Sequence, residues 1–243
     1  HSIRHTSHFS MGNDVADVNN DALPDILTLD MLPEDNRRQK LLMAPDNYEK
    51  FDLAVSSGFY YQHMRNMLQL NVGARSEQSD GSERGERIHP AVSGRGSLHA
   101  PTRRTAHSSL LTPLFSETGQ LAGISNTDWS WSPLLADYDN DGWKDLYVTN
   151  GYVRDYTNQD FLKFMTDYMR NRPANFSRED VLELVHKIPS SNVPNYMFRN
   201  RGGDPSSEVT FANVGAAWGL TQTSNSPGAA YADLDNDGDL DLI

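Results

Sequence analysis

Three stretches of the chain, Ser10–Ile26 (SMGNDVADVNNDALPDI), Ser130–Leu146 (SWSPLLADYDNDGWKDL) and Ser226–Leu242 (SPGAAYADLDNDGDLDL), superpose without a gap once their first loop aspartates, Asp17, Asp137 and Asp233, are aligned. A serine stands seven residues before that aspartate in every copy, a small residue five before it (Gly12, Ser132, Gly228) and an alanine immediately before it (Ala16, Ala136, Ala232). Agreement at that many offsets marks an internal repeat, and a repeat constrains the fold more than any single segment does.

The register extends beyond the acidic loops. Phe115–Ser125 (FSETGQLAGIS) and Phe211–Thr221 (FANVGAAWGLT) share two glycines, and each phenylalanine lies 22 residues before its loop aspartate. Asn66–Asn71 (NMLQLN) matches Asn195–Asn200 (NYMFRN) in the flanking asparagines and in the apolar residues between them. In order, each unit reads as a strand, the acidic loop, a second strand (Ile26–Leu29; Leu146–Thr149), an insertion, a third strand (Met67–Leu70; Tyr196–Phe198) and a short fourth strand at the phenylalanine block. Four short strands per repeat predict an all-β fold of the β-propeller type. Loop-to-loop spacings of 120 and 96 residues exceed an ordinary blade, so helical insertions are expected between the blade strands. Helical spacing of Phe161, Leu162, Met165, Tyr168 and Met169 predicts one helix over 158–170. Ser177 followed by Asp180 makes a capping box for a second over 181–188, with Phe176 and Val181 placed as a hydrophobic staple. A counterpart is expected over 33–55, broken at Pro45, and these helices are expected to pack on one rim.

The units divide the chain into a first repeat (1–71), an insertion (72–114), a second repeat (115–200) and the start of a third (201–243). The matched blocks are separated by 11 residues in one pair (Asn200 to Phe211) and 44 in the other (Asn71 to Phe115), which locates the extra residues. Residues 72–108 hold six of the chain's sixteen arginines, no lysine and almost no large apolar side chain, a composition expected to be disordered or foreign.

The loops themselves specify chemistry. In D-x-D-x-D-G-x-x-D, alternate side chains present hard oxygens to one side while a central glycine allows the turn, which suits a cation of calcium size. The second loop supplies Asp137, Asp139, Asp141 and Asp145, with the carbonyl of Trp143. The third supplies Asp233, Asp235, Asp237 and Asp241, with the carbonyl of Asp239. The first, Asp17, Asn19, Asp21 and Asp25 with Leu23 at the carbonyl position, replaces the second aspartate by asparagine and the glycine by Ala22. It is expected to bind more weakly or with altered geometry. An EF-hand is excluded, because its twelfth-position glutamate is Thr28 or Val148 here and strands, not helices, flank the loops.

Composition agrees. Acidic residues outnumber basic ones 33 to 21, a formal charge of −12 that disfavours nucleic acid as a partner and favours cations. Twelve carboxylates crowd the three loops, and three divalent cations would bring −12 to about −6. With no cysteine there is no disulfide, thiolate metal site or cysteine nucleophile. No apolar run is long enough to span a membrane. The chain starts without methionine and stops inside an apolar run, so it reads as a piece of something longer.

Taken together, HFSMGNDVADVNNDALPDILTLDMLPEDN and WSPLLADYDNDGWKDLYVTNGYVRDYTN resemble the FG-GAP/VCBS repeats of integrin-α-type propellers, and large bacterial secreted proteins of the ASPIC/UnbV and cartilage-acidic-protein group. The resemblance implies a seven-bladed propeller, structural calcium in the loops, and export to the periplasm, cell surface or medium. It implies a non-catalytic role in adhesion or in binding an extracellular protein or carbohydrate. The alternative is an accessory propeller of a secreted polysaccharide-degrading enzyme. The paired carboxylates do not read as a glycosidase, because calcium ligands are held ionised. His5, His8 and His63 lack partners at metal or triad spacing. Among the aromatics, Trp131 and Tyr147 are expected to pack inside the sheets, and Trp129 and Tyr156 to be available for contact.

Overall fold

Strand alternation sets the architecture. In Asp25–Leu29 the side chains of Asp25, Leu27 and Leu29 are buried while Ile26 and Thr28 between them are half-buried, the period of two that a sheet requires. The computed structural model describes residues 3–42, 47–73, 114–171, 176–203 and 208–243. Among these the chain is β-rich. Its strands are β1 (His5–Ser7), β2 (Gly12–Ala16), β3 (Asp25–Leu29), β4 (Tyr61–His63), β5 (Met67–Asn71), β6 (Phe115–Glu117), β7 (Ser130–Ala136), β8 (Asp145–Asn150), β9 (Val193–Pro194), β10 (Tyr196–Asn200), β11 (Phe211–Asn213), β12 (Thr223–Ser224), β13 (Tyr231–Ala232) and β14 (Asp241–Leu242). Four helices, α1 (Asn36–Leu42), α2 (Tyr48–Ser56), α3 (Gln159–Arg170) and α4 (Arg178–Lys187), occupy the connections after β3 and β8.

Two four-stranded antiparallel sheets dominate, ordered β2-β3-β5-β6 and β7-β8-β10-β11. Each is a meander in which sequential strands are neighbours. Their registers correspond: Ala16 faces Asp25 and Ala136 faces Asp145 across the acidic loops, and Asn71 faces Phe115 as Asn200 faces Phe211. Three two-stranded pairs complete the set: β13-β14 around the third loop, β12-β9, and the parallel pair β1-β4. Among the described residues the sheets do not close into a barrel or ring.

The sheets share one core. Val18, Leu27, Leu29, Leu68, Leu135, Leu146, Val148, Phe198 and Phe211 form one buried cluster drawn from both, with Ala122 and Ile124 between them. Strand β2 packs against β7 so closely that a Cβ on Gly12 would lie 2.1 Å from the Trp131 carbonyl oxygen. At Gly12 this leaves no room for a side chain. In the second repeated block, Gly123 and Gly219 carry φ of 79° and 84°, closing equivalent turns after β6 and β11. In the Asn66–Asn71 block the first asparagine is an anchor: Asn66 Nδ2 donates to Ile124 O and Thr127 Oγ1 while its Oδ1 accepts from Asp30 N.

The helices form where expected, although α4 begins at Arg178 rather than Val181. Asn158 caps α3, and Ser177 with Asp180 forms the capping box of α4. Phe176 lies against Tyr168 of α3, with ring centroids 6.4 Å apart. Helix α1 packs on α3, and Arg38 of α1 forms an ion pair with Asp128 just before β7. Tyr196 Oη donates to Glu34, so the first repeat's insertion is fastened to the second sheet. The expected break at Pro45 lies outside the described residues, as does the expected 72–114 insertion except for Val72, Gly73 and Leu114. Val72 N donates to Leu114 O at 2.8 Å, which sets the two ends of that insertion side by side.

Replacing Gly12 by alanine forces two backbones apart, and overpacking of this kind costs about 1–3 kcal/mol. A Cβ on Gly228 meets nothing within 4 Å. Urea unfolding should show a clear loss for Gly12→Ala and a change within about ±0.5 kcal/mol for Gly228→Ala; equal midpoints would contradict the packing described.

Candidate metal centre

Each acidic loop is shaped by its own carboxylates. At the first position, Asp17 accepts the amides of Asp21 (3.1 Å) and Ala22 (2.8 Å), Asp137 those of Asp141 (3.0 Å) and Gly142 (2.8 Å), and Asp233 those of Asp237 (3.2 Å) and Gly238 (3.1 Å). At the fifth, Asp21, Asp141 and Asp237 accept the amides of Leu23, Trp143 and Asp239 at 2.8–2.9 Å. At the ninth, Asp25, Asp145 and Asp241 accept those of Val18 (3.0 Å), Tyr138 (3.3 Å) and Leu234 (3.0 Å). The result is one conformation built three times.

The backbone agrees residue by residue. Asn20, Asn140 and Asn236 take φ of 56°, 57° and 62°, and the sixth position takes 66°, 89° and 95° at Ala22, Gly142 and Gly238. Asparagine tolerates the left-handed region through its short polar side chain, and glycine has no Cβ to clash. Ala22 has neither advantage, yet it adopts the same turn. The first loop's backbone therefore matches the other two, because two amide bonds to Asp17 hold the turn despite the local strain.

Not every expected ligand converges equally. Asp137, Asp139 and Asp145 each bring a carboxylate oxygen within 4.8 Å of the others, and so do Asp233, Asp235 and Asp237. Asp141 instead turns its second oxygen to the Arg199 guanidinium, which bridges Asp139 (2.7 Å) and Asp141 (2.9 Å). The Asp239 side chain accepts from Asn140 Nδ2 at 2.6 Å, and Asn20 Nδ2 donates to Gly142 O at 3.1 Å. Neighbouring loops are thus linked through the asparagine at their fourth position. In the first loop, Asn19 Nδ2 donates to Asp21 at 3.0 Å, while Asn19 Oδ1 is buried without a hydrogen-bond partner. The donor set is all oxygen and matches a hard divalent cation.

Asp25 and Asp145 also clamp the third strands: Asn71 N donates to Asp25 and Asn200 N to Asp145, both at 2.8 Å. Burial pushes Asp145 up to about 6 from its usual 3.8, with the charges of Asp139 and Asp141 adding to the rise and the amides of Asn200 and Tyr138 opposing it. Burial raises Asp25 in the same way, against the amides of Val18 and Asn71, and Asp30 against those of Phe9, Met31 and His8.

Of the aromatics, Tyr147 is buried and Trp131 half-buried, and Tyr156 is exposed, as expected. Trp129 is not available for contact. It is 8% exposed and stacks on Tyr152 at 4.4 Å with an 8° interplanar angle, because β7 and the segment after β8 bring the two rings face to face. Arg199 escaped the sequence reading, although it stands where the matched block of the first repeat has Leu70, a charge replacing an apolar residue. Comparison with protein-family models, curated proteins and solved structures returned no match.

Two outcomes follow. Ala22→Gly relieves the left-handed strain at some cost in unfolded-state entropy, a net gain of roughly 0.5–1 kcal/mol in denaturant unfolding; no gain would mean the turn is unstrained. A carboxyl group whose folded pKa is raised contributes stability below its unfolded pKa that is lost as pH rises through the folded one. The calcium-free protein should therefore gain thermal stability from about pH 7 down to about pH 5, and Asp145→Asn should shrink that gain. A midpoint that falls across this window would refute the burial account.

Proposed function

We propose that the chain is a calcium-binding segment of an extracellular β-propeller of the FG-GAP/VCBS type, seven-bladed in its parent protein, that supports adhesion or ligand recognition without catalysing a reaction. The observation that carries this reading is one loop conformation built three times in a single repeat register, each copy crowding carboxylates on one short turn. Two four-stranded antiparallel meanders that share one buried core support the propeller. The buried, unpartnered Asn19 Oδ1 supports a cation at the first loop, since buried polar atoms are rarely left without a partner.

Asp17, Asn19, Asp21 and Asp25 would hold one ion, Asp137, Asp139, Asp141 and Asp145 a second, and Asp233, Asp235, Asp237 and Asp241 a third, with Leu23, Trp143 and Asp239 contributing carbonyls. Calcium supplies positive charge that offsets carboxylate repulsion and stiffens the turn. The chain's own residues do the remaining work. The first-position aspartates fix the turn through two amides each, and Asp25 and Asp145 tie the loop to the third strand of its sheet. Oxygen-only ligands on flexible side chains favour calcium over magnesium, which demands near-ideal octahedral geometry.

Millimolar calcium outside the cytoplasm suits weak sites of this class, so the proposed location is the periplasm, cell surface or medium. Among the described residues no helix is long and apolar enough to cross a membrane. The proposed partners are calcium and an extracellular protein or carbohydrate; the net charge of −12 makes nucleic acid a poor one.

Calorimetric titration with calcium should give three sites, and calcium at a hundred times Kd should stabilise the fold by about 2.7 kcal/mol per site, reversed by a chelator. Asp237→Ala should remove one site and leave two. A protein whose thermal midpoint ignores both calcium and chelator would sink the proposal.

A further inference from the structure

The second loop differs from the first in one respect that its own sequence does not reveal. The Arg199 side chain, projecting from β10, lays its guanidinium across two aspartates of the loop, with Nε 2.7 Å from Asp139 and an Nη 2.9 Å from Asp141. Both are among the four side chains assigned to the ion. The first loop has no such cation, because the matched residue in β5 is Leu70. There the corresponding carboxylate, Asp21, accepts from the Asn19 side-chain amide and the Leu23 backbone amide, both neutral.

We propose that Arg199 is a tethered competitor of the metal at the second loop, so that calcium binds there by displacing the guanidinium and the loop is the weaker, conditionally filled one of the two complete sites. The inference rests on the calcium reading above. Its physical basis is charge bookkeeping at one site. Four carboxylates within nine residues repel one another, and the guanidinium, a planar donor able to serve two carboxylates at once, offsets part of that repulsion in the metal-free protein. Calcium then exchanges one positive charge for two, whereas at the third loop it adds two to carboxylates that no basic side chain engages among the described residues. The ion pair is half exposed, at 47% for the Arg199 side chain, so solvent screens it and the penalty it imposes on calcium is moderate. The same ion pair makes the metal-free second loop less dependent on the ion for its shape.

The test replaces Arg199 by leucine, the residue of the matched position, with Arg199→Gln as a second neutral variant and Arg199→Lys to retain charge without the fork. Terbium serves as the probe, since among the three loops the second alone carries a tryptophan, Trp143, to sensitise its emission. Calcium then competes against terbium in the full chain. Arg199→Leu and Arg199→Gln should tighten calcium at the second loop by roughly three- to tenfold and lower the thermal midpoint of the calcium-free protein, with Arg199→Lys falling between them and the parent. Far-UV circular dichroism and undiminished calorimetric binding at the other loops establish that each variant is folded. Equal calcium affinity at the second loop in the parent and in both neutral variants would overturn the displacement inference alone. Failure of parent and variants alike to bind calcium at any loop would overturn the calcium reading along with it.

Discussion

Two buried carboxylates, Asp25 and Asp145, each join their own loop to a third strand that is distant along the chain. Each accepts an amide from its own loop and another from the first residue after the third strand's core, Asn71 or Asn200. The asparagines answer by donating to Pro24 O and Lys144 O. Loop, second strand and third strand are thereby fixed by one carboxylate whose burial makes an unmade bond expensive. The sheet registers, the placement of the core and the presentation of the remaining loop carboxylates all depend on this junction. Its cost is visible in the acidity of the two groups, since burial favours the protonated form that the two amides oppose.

What was legible in the sequence is what recurs in every unit. The loop aspartates, the small residue at Gly12, the alanine at Ala136 and the paired asparagines each make a contact internal to the repeat or at its standard junction with the next. Their spacing therefore repeats along with the geometry. The strands at Asp25–Leu29 and Asp145–Asn150 and the helices α3 and α4 were readable for local reasons, from alternation, from the helical spacing of Phe161 to Met169 and from the capping box at Ser177. Contacts made once left no such trace. The Arg38–Asp128 ion pair, the Tyr196–Glu34 hydrogen bond, the Trp129–Tyr152 stack and the Arg199 bridge join residues that have no counterpart in the other copy. At Ala22 a residue's conformational preference is outweighed by two hydrogen bonds that Asp17 supplies to the turn.

The two ends of the sheets carry different chemistry. Connections β2-β3, β7-β8 and β13-β14 are the acidic loops and lie at one end, linked to one another by Asn20 and Asn140. Connections that follow β3 and β8 carry the helices and lie at the other, where α1 meets α3 and Tyr156 is exposed. Negative charge is thus concentrated on one rim, and the apolar surface contributed by insertions, including Phe164, Met169 and Leu182, on the opposite one. Screening by ions at the first rim leaves the second unaffected, since at physiological salt an exposed charge is felt over only about 8 Å.

The first-position aspartate has a further consequence. Because Asp17, Asp137 and Asp233 hold the turn through backbone amides, the loop keeps its shape with asparagine at the third position and alanine at the sixth. A duplicated copy is therefore free to drift, surrendering a carboxylate to asparagine at residue 19 or a glycine to alanine at residue 22 while its strands remain in place. Inheritance of the scaffold is separated from inheritance of the ligand set, and a lineage of such repeats can diversify its affinities one substitution at a time without passing through an unfolded ancestor.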